Sequence, residues 1–240
     1  MDENEIIEKL REMASQKYKE NVIRMGIPEE WSIGVSTGDI RKMASKLGKS
    51  SDLAWKLWDT GYHEAKILAV LLMEKKKVTI EDIEKMMEKV YSWDLCDHIC
   101  KNLIIKTPDY KELIWKWRDN PRTYYRRAVF TLIASVSVHE KNLKDEEIQE
   151  YFRLILEDAD DERDHVKKAV SWALRELGKI NFDYQEKAIE VAWELKNHHS
   201  KNCQWIGKDA LKELETLVAV EGRTRLISSK SQMAKEQGAI

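Results

Sequence analysis

Helix breakers and cysteines are both scarce in this chain of 240 residues, which holds three prolines, nine glycines and three cysteines. A small, odd number of cysteines forms no disulfide framework and suits a reducing compartment. No apolar run approaches the roughly 20 residues that a membrane-spanning helix needs. The opening segment MDENEIIEKL is acidic and lacks the apolar core of a signal peptide. We therefore expect a cytoplasmic protein without a membrane segment.

The composition that remains is typical of helices. Hydrophobic residues make up 42% of the chain and charged residues 35%. Apolar residues recur at helical spacing, and no stretch alternates as a strand does. The predicted helices span about 3–24, 38–48, 51–60, 62–76, 80–90, 93–106, 109–119, 122–139, 145–158, 163–178, 183–197 and 201–218. Residues 219–240 lose this periodicity and are predicted to form a poorly ordered C-terminal tail.

Three segments of similar sequence indicate an internal repeat. RRAVFTLIASV, KKAVSWALREL and KDALKELETLV begin at Arg126, Lys167 and Lys208, each 41 residues after the last. A period near 40 residues with two helices in each is typical of HEAT repeats. We predict an all-α fold, a right-handed α-α superhelix of about six stacked two-helix HEAT-like repeats, forming one domain over 1–218. The alternative is an irregular helical bundle.

The repeats also predict where the positive charge lies. The formal net charge is −2, which weighs mildly against a dedicated nucleic-acid module. Cations nevertheless precede the repeated alanines, at Arg126 and Arg127, at Lys167 and Lys168, and at Lys208. Because equivalent positions of stacked repeats line up, these side chains are predicted to form a basic stripe that binds duplex DNA. The alternative is that they are ordinary solvated helix faces.

Two tryptophans and one aspartate are the candidates for chemistry. Trp93 and Asp97 lie four residues apart in SWDLCD, which places them on one face of a predicted helix. Asp97 has apolar neighbours, and a carboxylate in such a position usually has a partner or a function. Alternatively, Asp97 caps a neighbouring loop and Trp93 belongs to the core. Trp172 follows the repeated Ala169 by three residues, on the same side of its helix.

A metal or cofactor site is not expected. Cys96, His98 and Cys100 lie close together in the sequence. Only the two cysteines share a helical face, no fourth ligand is evident, and the usual CxxC spacing is missing. Phosphate-binding and hydrolase motifs such as the P-loop, GxGxxG, HExxH and GxSxG are missing too.

The segments SWDLCD, YYRRAV and VKKAVSWALRELGK, in this order, resemble the DNA alkylation repair glycosylases of the AlkD type. The resemblance covers roughly residues 30–215. It implies a HEAT-like superhelix that holds duplex DNA in its concave groove. It also implies a base-excision hydrolase that removes positively charged alkylpurines, such as 3-methyladenine and 7-methylguanine, from DNA.

By the same resemblance the site residues are Asp97, Trp93, Arg127 and Trp172. An N-alkylated purine leaves as a neutral base, so a single carboxylate that stabilises the developing sugar cation and orients water suffices. We expect Asp97 to take that role, the two indoles to hold the cationic nucleotide, and Arg127 to bind a flanking phosphate. The expected form is a monomer without cofactor or metal.

Two other functions remain open at this point. Some relatives of these glycosylases have little or no activity and bind unusual DNA structures, so the chain is alternatively a non-catalytic binder of branched or distorted DNA. Many HEAT arrays are protein-interaction scaffolds, which is the third hypothesis.

Overall fold

The computed structural model describes residues 1–108 and 110–238. Over these residues the chain forms fourteen α-helices, two short 3-10 helices and one pair of two-residue strands, so the predicted all-α class is confirmed. The first residue of the helix predicted at 109–119 and the last two residues of the predicted tail lie outside the described residues. None of the helices in the described part of the chain has both the length and the apolar character of a membrane span.

The chain divides into two compact units, Met1–Lys111 and Glu112–Ile240, with the division inside one helix. The helices of the first unit are α1 Glu3–Glu12, α2 Gln16–Arg24, α3 Thr37–Leu47, α4 Ser51–Asp59, α5 His63–Leu72, α6 Ile80–Met87 and α7 Trp93–Asn102. Helix α8, Tyr110–Trp117, contains the division. The single domain predicted over 1–218 stays a prediction.

Hydroxyl and carboxylate caps fix several helix starts of the first unit. The side chains of Ser36 and Ser92 accept hydrogen bonds from the backbone of the first turns of α3 and α7. The prediction of one helix over 3–24 was wrong. Ser15 caps a second helix by accepting from the Tyr18 amide, while its own amide donates to the carbonyl of Gly34 at 2.9 Å.

Helix α5 is the centre of the first unit. It packs against α3, α4 and α7, and nine of its ten residues are buried. Two of these buried residues are the charged side chains Glu64 and Lys66. A helix apolar on nearly all sides belongs in a core, so its polar side chains have to find partners within the protein.

The second unit holds the three similar segments found in the sequence. Its further helices are α9 Thr123–His139, α10 Asp145–Asp158, α11 Asp164–Gly178, α12 Phe182–Lys196, α13 Lys201–Leu214 and α14 Gln232–Glu236. Helices α9 and α13 both pack against α11, and α10 and α12 pack against each other. The repeated alanines Ala128, Ala169 and Ala210 lie on α9, α11 and α13 and are fully buried. They are small residues at the packing layer of successive hairpins, as the sequence predicted.

The residues after α13 differ from the prediction. The helix predicted over 201–218 ends at Leu214, and Leu217–Val218 (β1) pairs antiparallel with Ile227–Ser228 (β2). Arg225, in the connection, donates to the carbonyl and the carboxylate of Glu176 at 2.8 and 2.9 Å, which fixes the connection to α11. Strands of two residues are too short to show a period in the sequence. Whether this tail is poorly ordered in solution stays a prediction.

Candidate functional site

Helix α7 positions the first two candidate residues. Its start is fixed by Ser92, whose buried hydroxyl accepts from the Leu95 amide at 3.2 Å. One turn apart on this helix, Trp93 is half-buried and Asp97 is 7% exposed. Both line one surface pocket of about 100 Å³. The carboxylate is thus recessed, but it lies on a pocket wall beside an indole.

Cations also line this pocket. Arg41 of α3 and Lys101 of α7 belong to its wall, together with His98. Two side chains that are charged at neutral pH therefore lie around the recessed Asp97. The wall also includes Asp94, so the pocket combines two carboxylates, one indole and two cations, which suits a ligand that carries both negative charge and a local positive charge.

Asp94, at the start of the same helix, is engaged by two histidines. Its Oδ2 lies 3.0 Å from Nε2 of His63, and its Oδ1 lies 3.4 Å from Nδ1 of His98. Burial by itself raises the pKa of the Asp94 carboxyl, but the hydrogen bonds from His63 and His98 outweigh burial and hold that pKa well below its usual range. Asp94 is therefore a charged structural link between α5 and α7.

Sequence reasoning missed His63 and Glu64 at the start of α5. Both side chains are 1% exposed. The Glu64 carboxylate accepts from the backbone amides of Ile33, Gly34 and Val35 at 3.0, 2.6 and 3.3 Å. His63, Glu64 and Asp94 line a second pocket, of about 190 Å³. Nothing local in the sequence marks these residues, because their partners come from about 30 positions away.

In the second unit, Arg127 and Trp172 lie on the neighbouring helices α9 and α11. Arg127 is 6% exposed and donates from Nη1 to the carbonyl oxygen of His165 at 2.7 Å. Trp172 is half-buried, one turn beyond Lys168. The guanidinium is thus anchored to the first turn of α11, and the indole lies further along that helix.

The side chains of the predicted basic stripe differ in their ion pairs, and Arg126 makes more than one. Arg126 is 3.3 Å from Asp161 and 3.6 Å from Asp158, in a cluster of ion pairs that also includes Arg118 and Arg163. Its guanidinium thus cross-links the second unit. This cluster also pairs part of the acidic run around 157–164 with arginines of the same unit.

Two lysines of the stripe, Lys168 and Lys208, are exposed, whereas the side chain of Lys167 is only 15% exposed. Lys167 pairs with Asp164 at 2.8 Å, and Lys168 approaches the same carboxylate at only 3.8 Å. Lys208 of α13 is exposed and makes no ion pair within residues 1–108 and 110–238. Lys168 and Lys208 are therefore the members of the stripe best placed to meet an external anion.

The three cysteines are buried free thiols. In the described part of the chain, no group of three His, Cys, Asp or Glu side chains is arranged to hold a metal ion.

These observations define the class of the protein. It is an all-α protein of HEAT-like repeats in which a recessed carboxylate lies beside an indole. The family model of the DNA alkylation repair enzymes matches residues 6–214. The chain therefore belongs to the DNA alkylation repair enzyme family.

A solved structure agrees on the fold. One similar chain is described as belonging to "a new family of proteins related to the HEAT-like repeat DNA glycosylases with affinity for branched DNA structures". It is 18% identical, with a TM-score of 0.73, and the match covers 100% of this chain and 95% of that chain. A designed armadillo repeat protein in complex with a (KR)4 peptide matches with a TM-score of 0.36 and 16% identity, over 72% of this chain and 90% of that one. No curated protein matches the chain.

Proposed function

We propose that this chain is a DNA N-glycosylase that hydrolyses the N-glycosidic bond of cationic alkylated purines, such as 3-methyladenine and 7-methylguanine, in duplex DNA. The observation that carries the proposal is that Asp97 and Trp93 line one surface pocket of α7, flanked by Arg41 and Lys101. The proposed form is a monomer.

The chemistry requires little from the protein. The bond between the sugar C1′ and the purine nitrogen breaks, and its electron pair leaves with the base, which becomes neutral. Positive charge develops on the sugar, and the Asp97 carboxylate stabilises that charge in a recessed site where few water molecules screen it. Water then adds its oxygen to C1′ and releases a proton. Asp97 is proposed to orient that water molecule and accept the proton.

The remaining site residues are proposed to hold the nucleotide. The faces of Trp93 and Trp172 attract the cationic base or sugar, at about 0.5–2 kcal/mol for each contact. Arg127 binds a phosphate next to the lesion, and its hydrogen bond to the His165 carbonyl keeps the guanidinium in place before DNA arrives. Lys168 and Lys208 bind phosphates further along the duplex.

Base release from methylated duplex DNA tests this proposal. We expect the wild-type chain to release 7-methylguanine or 3-methyladenine as free base, measured by chromatography, and Asp97→Asn to release it at least about 100-fold more slowly. The thermal unfolding and duplex affinity of Asp97→Asn are measured alongside, so that lost activity is separated from lost structure. Absence of base release by the wild type, with intact DNA binding, overturns the enzymatic proposal.

A second candidate function is the binding of branched DNA without catalysis. What favours it is the likeness in fold, over nearly the full length of both chains, to a protein described as having affinity for branched DNA. This candidate predicts that a four-way junction binds more tightly than a linear duplex of equal length. It also predicts that binding weakens with salt and that no base is released.

A further inference from the structure

Helix α13 presents a row of exposed side chains at helical spacing. Lys201, Trp205, Lys208 and Lys212 are separated by four, three and four residues, and all four are exposed. The opposite face of the helix is buried, at Cys203, Ile206, Gly207, Ala210, Leu211 and Leu214. The row therefore lies along one solvent-facing side of the helix, which we call the α13 row.

An indole surrounded by lysines is the unusual feature of the α13 row. Trp205 is 37% exposed, and Nζ of Lys167 lies 5.1 Å from the centre of its ring. Neither Lys201 nor Lys208 makes an ion pair within the described residues. The two lysines flank the indole about 10 Å apart along the helix axis. Cations on both sides of an exposed aromatic ring form the combination that binds a nucleic-acid strand by stacking and phosphate contact.

The two aspartates nearest Trp205 are already paired with lysines. Asp164 pairs with Lys167 at 2.8 Å, and Asp209 pairs with Lys212 of the row at 3.6 Å while it accepts a hydrogen bond from Ser171 at 2.8 Å. The charge left around Trp205 is that of Lys201 and Lys208, so the surface is complementary to a polyanion.

We propose that Trp205 stacks on an unpaired base of DNA while Lys201 and Lys208 contact the phosphates of the same strand. The proposal deepens the proposed DNA-binding function and depends on it. In a closed duplex the flat faces of each base are covered by its neighbours, so an indole cannot stack there. The occupant is therefore a single-stranded segment that adjoins a duplex, as at a branch point or an overhang.

Another exposed tryptophan provides the matched control. Trp193 of α12 is 42% exposed and has one lysine, Lys196, whose Nζ lies 3.6 Å from the ring centre. One turn before it on the same helix lies the acidic side chain of Glu190. Trp193 thus matches Trp205 in exposure, but it has one lysine beside it where Trp205 has three.

The test compares the affinities of the full-length protein for a blunt duplex and for the same duplex with a single-stranded poly(dT) tail, by fluorescence anisotropy. We expect the tail to strengthen wild-type binding by about tenfold, which is the gain in affinity that one stacked base and its phosphate contacts provide. Trp205→Ala should abolish that gain and leave the blunt-duplex affinity within about twofold, while Trp205→Phe and Trp193→Ala should keep it.

The outcomes separate this inference from the proposed function. Equal affinity for both DNAs in the wild type, or an unchanged gain in Trp205→Ala, overturns the inference while blunt-duplex binding and base release still stand. If the wild type binds neither DNA, the proposed function and the inference fall together. If Trp193→Ala loses the gain as well, the effect is not specific to the α13 row and the inference is wrong.

Discussion

Nε2 of His63 lies 3.0 Å from Oδ2 of Asp94, and this contact joins the buried helix α5 to the helix that carries Trp93 and Asp97. A carboxylate can only accept, so the imidazole donates from Nε2. Its other nitrogen, Nδ1, lies 3.3 Å from the hydroxyl of Tyr91. The direction in which α7 presents its pocket residues is thus fixed by a hydrogen-bonded series that consists of the buried His63 and the partly buried Tyr91 and Asp94.

Asp94→Asn is expected to lower the free energy of unfolding by about 2 kcal/mol at neutral pH, because it removes a charged acceptor. The folded-state pKa of Asp94 is held below that of the unfolded chain, about 3.9. Its contribution is therefore fully present above that value and is lost as the pH falls through the folded-state pKa. Urea unfolding is measured between neutral pH and about pH 3, and the free energy of unfolding should fall less with acid in Asp94→Asn than in the wild type. If it fell equally in both proteins, Asp94 would not be the charged link between the two helices.

Glu64→Gln is expected to lower the free energy of unfolding by about 2–3 kcal/mol, since one amide oxygen cannot replace a carboxylate that accepts from three backbone amides. The measurement is chemical denaturation at neutral pH. Glu30→Gln, at an exposed position near the segment that Glu64 holds, should change stability by less than about 0.5 kcal/mol. Equal small effects at both positions would show that Glu64 does not hold this segment.

Arg126 and Lys168 are expected to respond in opposite ways, although the sequence assigns both to the basic stripe. Arg126→Gln breaks ion pairs with Asp158 and Asp161, so it should cost about 3 kcal/mol of stability. It should leave the salt dependence of duplex binding unchanged. Lys168→Gln should leave stability unchanged and reduce the slope of log affinity against log salt by about 1. A reduced slope in Arg126→Gln would show that its guanidinium reaches DNA.

Gly207→Ala tests how closely α12 and α13 approach. A Cβ atom there would lie 2.5 Å from the amide nitrogen of Lys196 and closer still to the carbonyl oxygen of Ala192. We expect the free energy of unfolding to fall by about 1–3 kcal/mol, because the backbone rather than a flexible side chain has to move. The control is Gly38→Ala in α3, where the nearest atom is 3.7 Å away and a gain of about 0.5–1 kcal/mol is expected. If Gly38→Ala destabilised the protein as much as Gly207→Ala, the close approach of α12 and α13 would not explain the effect at Gly207.

The repeats could be predicted because their information is local and periodic. Ala128, Ala169 and Ala210 recur at fixed spacing, and all three are buried on helices of one packing layer. Trp93 and Asp97 could be paired for the same reason, since a spacing of four residues places both side chains on one helix face.

What the sequence did not reveal depends on contacts between distant segments. The acidic run around 157–164 is visible in the sequence, but nothing there shows that Arg126 is one of its partners. The break at Ser15 depends on a hydrogen bond to Gly34, and the role of Glu64 depends on amides about 30 residues away. Hydrophobic periodicity contains no information on such pairings.

The role of Asp97 in hydrolysis is tested by the single-turnover rate of base release from a duplex containing one 7-methylguanine, with enzyme in excess. Wild type and Asp97→Asn are compared at concentrations where both are saturated with DNA, so that differences in affinity drop out. We expect a rate at least about 100-fold lower in Asp97→Asn, because the group that stabilises transition-state charge is removed. Equal rates in the two proteins would contradict that role.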